Sequence, residues 1–324
     1  MSSFPPARLS PIPAAPLHSL AAAVPPRRRL AVAGGAVSSL VLAILFWGAN
    51  WPVMKLGLGH VTPLWFSALR FGTGAACLFA VQAMRGGVRL PRRRDLPFVA
   101  SVGLLQMLCF TVLGALAMTL LPAGRSALLS YTTPLWVLPA SVLFFGERVP
   151  GPRLAGIGLA ALGVAVLMNP LSIDWADPRV LGANLMLLTA SLCWSACILH
   201  LRYGRPASAA FALAPWQMLL ATLLLVPLAL TVEGPFTGDG SAAFLASTLY
   251  VGPVATAFCF CAVNAASARL PATGMATAML GVPVTGVALS MLLLGERLTP
   301  TLLLGSLAIL GGIAAAALPT RFRS

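Results

Sequence analysis

Polar side chains inside long apolar stretches are the residues of this chain best placed to contact a solute. A polar or charged group in hydrocarbon is costly unless it faces a partner or a wet cavity. Asn50 lies between Trp47 and Trp51, and Arg70 is a cation embedded in the next apolar stretch. Arginine binds carboxylates through its planar guanidinium. The other candidate substrate-binding residues are Gln106, Tyr131, Thr132, Pro134, Trp136, Trp194, Ser195, Asn264 and Pro283.

Each candidate also has a structural interpretation that the sequence leaves open. Trp51 is equally suited to an interfacial aromatic belt. Arg70 could extend its side chain to the membrane interface beside Trp65, or pair with a carbonyl. Isolated amides and hydroxyls, such as those of Gln106 and Asn264, serve equally well as contacts between helices.

The elements that must position these residues are membrane-spanning helices. Hydrophobic residues make up 59% of the 324 residues, charged residues 9%, and the mean hydropathy is +0.92. A spanning helix needs about 20 mostly apolar residues. The sequence predicts ten of them, at 36–57, 63–84, 97–119, 124–145, 153–170, 182–201, 208–231, 244–265, 272–294 and 299–318. The expected fold is therefore an all-α integral membrane protein.

The net charge of +14 reflects membrane topology rather than nucleic-acid binding. With ten spans and a cytoplasmic N-terminus, sixteen arginines fall on the cytoplasmic side, and four basic residues fall outside. This bias predicts that both termini are cytoplasmic. No soluble basic face is left for a nucleic acid. We expect a multi-pass protein of the bacterial inner membrane, with the lipid bilayer and a small-molecule substrate as its partners.

One segment of the chain occurs twice in the sequence. Leu121-Pro122-Ala123, Pro134 and Gly146-Glu147-Arg148 return 149 positions later as Leu270-Pro271-Ala272, Pro283 and Gly295-Glu296-Arg297. Ten of the 28 aligned positions are identical. Because each repeat holds five spans, an odd number, the second repeat enters the membrane from the opposite side. The sequence therefore predicts two inverted five-helix repeats.

The predicted domain limits follow from this duplication. Residues 1–35 form a Pro/Arg-rich cytoplasmic tail that we expect to be disordered, and residues 319–324 form a second cytoplasmic tail. The repeats occupy 36–171 and 182–318, joined by an external connector at 172–181. An uncleaved first span is favoured over a signal peptide, because the stretch is too long and leads into Trp47 rather than a cleavage site.

Within the duplicated segment, the prolines and the glutamates predict different roles. Pro134 and Pro283 are expected to bend spans four and nine around a cavity, with a simple packing kink as the alternative. Glu147 and Glu296 follow a helix-ending glycine, so local pairing with Arg148, Arg297 or loop amides is favoured over proton transfer. No carboxylate lies in the middle of a span, so the sequence gives no positive evidence for proton coupling.

No catalytic, metal or cofactor site is expected. The six cysteines all lie in predicted spans, where small packing residues are the favoured interpretation. His18, His60 and His200 lie in the tail or near span ends, and neither a paired-histidine motif nor a Gly-x-Ser-x-Gly elbow occurs. A polytopic membrane enzyme is therefore the weakest of the functional hypotheses.

Ten spans in two halves, the Trp47-Gly48-Ala49-Asn50-Trp51-Pro52 stretch, and the proline with Gly-Glu-Arg at spans four and nine resemble the EamA-type exporters of the drug/metabolite transporter superfamily. The resemblance covers about residues 36–318. It implies export or exchange of small metabolites, through a central cavity lined by spans one, three, four, six, eight and nine.

The leading hypothesis is export of amino acids or related metabolites by alternating access of the two repeats. A multidrug or lipid flippase of the same fold is the alternative. Small residues in spans five and ten, such as Gly156, Gly163, Gly305 and Gly312, allow close helix approach. They indicate either a homodimer contact or packing within one chain.

Overall fold

The structure, a computed structural model, describes residues 26–147, 150–168, 178–267, 275 and 278–317. Within these ranges the secondary structure is helical and contains no β-strand. The helices of this described part are α1 (Pro26–Gly57), α2 (Pro63–Met84), α3 (Arg93–Leu120), α4 (Ala123–Phe145), α5 (Gly151–Met168), α6 (Pro178–Gly204), α7 (Ala210–Val232), α8 (Ala242–Ala266), α9 (Gly281–Leu294) and α10 (Pro300–Ala317).

These ten helices confirm the predicted all-α membrane architecture. Counted over the described residues, seven are long and apolar enough to cross a bilayer, and α5, α9 and α10 are shorter apolar helices. The start of the predicted ninth span falls largely outside the described ranges. The first helix differs from prediction at its start, because α1 begins at Pro26 and so extends into the segment assigned to the tail. Proline is well tolerated in the first helical turn.

The duplicated segment forms a broken helix in its first copy. In α4, one helical piece runs over Ala123–Ser130 and a second over Thr133–Phe145. Pro134 lies in the first turn of the second piece, where its missing N–H leaves no donor unpaired. In the second copy, α9 begins at Gly281, with Pro283 likewise near its start. Each proline therefore marks where a helix segment begins, rather than a bend within a continuous helix.

Both copies end in the same backbone conformation. Gly146 and Gly295 have φ angles of 65° and 66°, in the left-handed region that glycine adopts without steric cost. Such a residue directly after the last turn is a common helix stop. The glycine of each Gly-Glu-Arg sequence is therefore what ends α4 and α9.

A second matched feature is a wide, π-helical segment in each repeat. It covers Val102–Cys109 in α3 and Tyr250–Phe258 in α8, the third helix of each half. Such segments are rare and occur often at functional sites. In α8 the segment contains Pro253, which cannot donate an α-helical hydrogen bond.

The contact between α5 and α10 shows how the two repeats are related. A Cβ atom placed on Gly156 would lie 2.6 Å from the carbonyl oxygen of Gly312, and one on Gly163 would lie 2.9 Å from that of Gly305. The 149-residue shift makes Gly156 equivalent to Gly305 and Gly163 equivalent to Gly312. Exchanging the repeats turns one contact into the other, as an internal two-fold axis requires. These glycines pack within one chain, and a homodimer through them stays a prediction.

Loop carboxylates bind across the repeats. Glu296 accepts hydrogen bonds from the amide N–H groups of Ala123 (2.6 Å) and Gly124 (3.0 Å) at the start of α4. Because Glu296 follows α9, the end of α9 meets the beginning of α4, and the two helices run in opposite directions. Glu296 therefore pairs with backbone amides, one of the expected kinds of partner, but these amides belong to the other repeat rather than to its own loop.

Glu147 also reaches the other repeat, but through side chains. Its Oε1 accepts hydrogen bonds from Arg202 Nη2 and the Tyr203 hydroxyl, both at 2.7 Å, near the end of α6. Arg148 lies outside the described residues. The glutamates of the two copies, Glu147 and Glu296, therefore lie at opposite ends of the helix bundle and bind different partners.

Candidate functional site: a central cavity beside Arg70

Arg70 lies inside the bundle rather than extending to the interface. Its Nε donates to Thr256 Oγ1 at 2.8 Å, and its Nη1 lies 3.1 Å from the Met54 sulfur. Thr256 belongs to the π-helical segment of α8, and its hydroxyl also donates to the carbonyl of Val251, five residues earlier, at 2.6 Å. The unusual turn of α8 therefore positions the hydroxyl that holds Arg70.

The guanidinium of Arg70 has no ionic partner among the described residues. The ion pairs of this part of the chain join His60 to Asp239 and Arg202 to Glu147. A sulfur atom is only a weak hydrogen-bond acceptor. Arg70 is only partly exposed, and a charge held inside a helix bundle is costly without a partner, so this cation is suited to bind an anion that enters the cavity.

One face of α1 supplies much of the cavity wall. Trp47 donates its indole N–H to the carbonyl of Ala255 at 2.6 Å, again in the π-helical segment of α8. One turn on, the Asn50 Nδ2 lies 3.1 Å from the same Met54 sulfur that Arg70 contacts. Asn50 is 6% exposed, and its Oδ1 has no hydrogen-bond partner among the described residues. α1 thus presents an unpaired acceptor close to the guanidinium.

These residues surround a narrow cavity of about 40 Å³, which we call the Arg70 chamber. Its walls come from α1, α2, α3, α4 and α6. The lining residues are Trp47, Asn50, Trp51, Met54, Arg70, Phe110, Thr111, Gly114, Tyr131 and Trp194.

A wider cavity of about 280 Å³, the apolar chamber, shares three aromatic residues with the first. Phe110, Tyr131 and Trp194 line both chambers, and the Phe110 and Trp194 rings meet edge to face at 4.5 Å. The remaining lining residues of the apolar chamber are Ser130, Thr133, Pro134, Ile198, Met279, Leu280 and Ile313. The break in α4 lies at this junction, because Tyr131 stands between its two helical pieces.

The structure brings seven of the thirteen predicted site residues to these chambers. Six of them line the Arg70 chamber, and two of these six, Tyr131 and Trp194, also line the apolar chamber. The seventh, Pro134, lines only the apolar chamber. The seven are Trp47, Asn50, Trp51, Arg70, Tyr131, Pro134 and Trp194. The others, which line neither chamber, are Gln106, Thr132, Trp136, Ser195, Asn264 and Pro283. That any of them binds substrate stays a prediction.

Hydrogen bonds within the protein occupy several of the residues outside the chambers. Thr132 donates to Leu129 O and contacts Ser191 Oγ. Asn264 donates to the carbonyl of Phe260 in its own helix at 2.7 Å. For these two side chains the geometry favours helix packing.

Sequence reasoning missed several members of the site, most of which are apolar. Met54 and Thr256 carry no motif, although Met54 follows Asn50 by four residues and so shares its helix face. Ile198, Met279 and Ile313 resemble any other apolar residue of a span. The resemblance-based expectation about the cavity holds for spans one, three, four, six and nine. Span eight lines neither chamber, but its Ala255 and Thr256 accept hydrogen bonds from Trp47 and Arg70. Span two also lines the Arg70 chamber through Arg70, and span ten lines the apolar chamber through Ile313.

The two described histidines and the cysteines line neither chamber. His60 contacts Asp239 at 2.7 Å, and His200 stacks on Phe98 with its Nδ1 2.8 Å from Ser101 Oγ. All six cysteines are free. Over the described residues, no three His, Cys, Asp or Glu side chains are grouped as a metal site would need.

Comparison with known proteins agrees with this fold. The chain is 28% identical to the "Probable terminal-alkyne amino-acid exporter" of Streptantibioticus cattleyicolor, over 86% of this chain and 92% of the relative. It is 29% identical to the "Probable amino-acid metabolite efflux pump" of Escherichia coli K12, over 84% and 91%.

A solved crystal structure with 22% sequence identity superposes with a TM-score of 0.62, over 87% of this chain and 96% of that one. The sequence model of the EamA-like transporter family matches residues 35–169 and 181–318, once for each five-helix repeat. The chain is therefore a membrane transporter that belongs to the EamA-like transporter family.

Proposed function

We propose that this transporter exports amino acids or closely related carboxylate-bearing metabolites from the cytoplasm across the bacterial inner membrane. Two relatives carry names that refer to amino-acid export or amino-acid metabolite efflux. The arginine distribution supports cytoplasmic termini. The two inverted repeats would expose the central cavity to each side in turn.

One observation carries this proposal: Arg70 is partly buried and lines the central cavity without a carboxylate partner among the described residues. The planar guanidinium is complementary to a carboxylate. A substrate carboxylate would provide the negative charge that pairs with the Arg70 guanidinium. Thr256 and Met54 fix the guanidinium without neutralising it, so the site is held ready for that anion.

The same charge argues against the multidrug alternative for cationic compounds. A cation entering the Arg70 chamber would meet a like charge at short range, and in a cavity of low dielectric this repulsion is strong. Membrane enzymes remain a distant alternative, because the described histidines lie outside both chambers.

Counterflow into liposomes containing the full chain tests the proposal. Vesicles are loaded with unlabelled amino acids, and uptake of the labelled compounds is followed. Wild-type protein is expected to accumulate at least one amino acid well above empty vesicles, Arg70→Gln to lose this activity, and Arg70→Lys to retain part of it. Arg125→Gln is the matched control, since Arg125 binds Asn184 outside both chambers.

Two results would overturn the proposal. One is that no amino acid is accumulated above the level in empty vesicles, although circular dichroism shows folded protein. The other is that Arg70→Gln transports as fast as wild type.

A further inference from the structure

The unpaired Asn50 oxygen suggests what else the substrate carries besides a carboxylate. Asn50 Nδ2 and Arg70 Nη1 each lie 3.1 Å from the Met54 sulfur, so the two nitrogens are at most twice that distance apart. An α-amino acid places an ammonium donor one carbon away from its carboxylate. Because the Asn50 and Arg70 side chains both contact Met54, one such molecule can reach both with its two charged groups.

The size of the Arg70 chamber fits only the head of such a molecule. Its volume of about 40 Å³ holds a few water-sized groups. The larger space, about 280 Å³, begins on the other side of Phe110, Tyr131 and Trp194. A substrate bound at Arg70 must therefore place its remaining atoms between these rings and into the apolar chamber.

The walls of the apolar chamber favour hydrocarbon. Ile198, Met279, Leu280 and Ile313 contribute apolar side chains, and the lining residues with polar side-chain atoms, Ser130, Tyr131, Thr133 and Trp194, are all uncharged. No described carboxylate or cation lines this chamber. Burying a charged or strongly polar side chain in such a space without a partner costs several kcal/mol.

We infer that the transporter selects α-amino acids with large apolar side chains. The carboxylate binds Arg70, the ammonium donates to Asn50 Oδ1, and the side chain passes the three aromatic rings into the apolar chamber. This inference rests on the proposed function and adds to it the substrate class and the orientation of the bound molecule.

The first test compares substrates in wild-type protein. Counterflow is measured with leucine, methionine and phenylalanine, and with alanine, serine, glutamate and lysine. The large apolar amino acids are expected to exceed the others by about tenfold, the range that apolar pocket contacts provide. If amino acids are exchanged but serine, glutamate or lysine moves as fast as leucine, this inference is wrong while the proposed function stands. If none is exchanged, both fail.

The second test addresses the role of Asn50. Wild-type protein should prefer leucine over its 2-oxo analogue, which keeps the carboxylate and lacks the ammonium. Asn50→Leu should lower leucine exchange and remove that preference, whereas a purely structural role would lower both compounds equally. An unchanged preference in folded Asn50→Leu would overturn the ammonium assignment.

The third test fills the apolar chamber. Ile198→Phe is expected to lower the ratio of phenylalanine to alanine exchange by about tenfold. Leu192→Phe is the control on the same helix, because Leu192 is 46% exposed on the outer surface of the bundle. Equal ratios in the two variants and wild type would show that side chains of the substrate do not enter this chamber.

Discussion

Glu296 and Glu147 are equivalent residues of the duplicated segment, yet they bind different kinds of partner. Glu296 accepts hydrogen bonds from two backbone amides at the start of α4. Glu147 binds the side chains of Arg202 and Tyr203, and the Arg202 side chain is 54% exposed. The same three-residue sequence therefore produces a backbone cap at one end of the bundle and a surface ion pair at the other.

This difference predicts which of the two glutamates contributes more to the stability of the fold. The first amides of a helix have no partner within the helix, and they carry partial positive charge. Withdrawing Glu296 leaves two such amides of α4 unpaired. Withdrawing Glu147 exposes a flexible arginine to water, which solvates it well. We expect the Glu296 contact to stabilise the folded protein more than the Glu147 contact does.

Asp95 tests whether the stabilisation by a carboxylate depends on its binding to backbone amides or on the end of the bundle where it lies. It lies on the Glu147 end, is fully buried, and accepts hydrogen bonds from Ala207 N–H, Ser208 N–H and the Ser208 hydroxyl. Asp95→Ala should lower the free energy of unfolding by about 4 kcal/mol, since two amides lose their acceptor. A melting curve of the purified protein measures this loss. A change smaller than that of Glu147→Ala would contradict the explanation.

Glu296→Ala is expected to have the next largest effect, about 2 kcal/mol. Two amide hydrogen bonds are lost, but Glu296 is only partly buried, so water can replace some of the contact. The melting temperature should fall, and Glu296→Gln should recover part of the loss through its amide oxygen. If Glu296→Ala melts like wild type, the cap does not hold the two repeats together.

Glu147→Ala should cost about 0.5 kcal/mol, because exposed ion pairs are weak and are screened by salt. The difference between wild type and this variant should shrink further in 1 M salt, while the Glu296→Ala difference should persist. Melting curves at low and high salt distinguish the two. If Glu147→Ala and Glu296→Ala lowered the free energy of unfolding equally, the proposed difference between an exposed ion pair and a backbone cap would be wrong.

The smallest effect is expected at the loop contact between His60 and Asp239, on the Glu296 end. The N–H of Ser241 and the His60 ring hold the pKa of Asp239 at about 2, below its ordinary value. A lowered pKa stabilises the folded protein fully above the ordinary value of about 4, and the contribution is lost as the pH falls towards 2. The slight melting advantage of wild type over Asp239→Asn should therefore be present at pH 6 and shrink below pH 4. An advantage that grows as the pH falls would contradict this sign.

The fold was largely predictable because its signals are local. Apolar stretches of spanning length identify helices, and the 149-residue duplication with an odd number of spans implies inversion. Boundaries were less predictable, as the early start of α1 and the break at Tyr131 show. The site was predictable only where a polar or charged residue interrupts an apolar membrane-spanning stretch, as Asn50 and Arg70 do. Met54, Ile198 and Ile313 resemble ordinary lipid-facing or packing residues.

Local patterns in the amino-acid sequence are enough to identify a ten-helix inverted-repeat membrane protein with a few embedded polar groups. The packing of the helices is needed to see that Glu296 binds backbone amides of the other repeat, whereas Glu147 binds side chains of the other repeat. Helix packing also places Arg70 and Asn50 in one chamber, which shares three aromatic lining residues with an apolar chamber. The physical reason is distance along the chain. Arg70 and Thr256 are 186 positions apart and meet only when helices from both repeats pack.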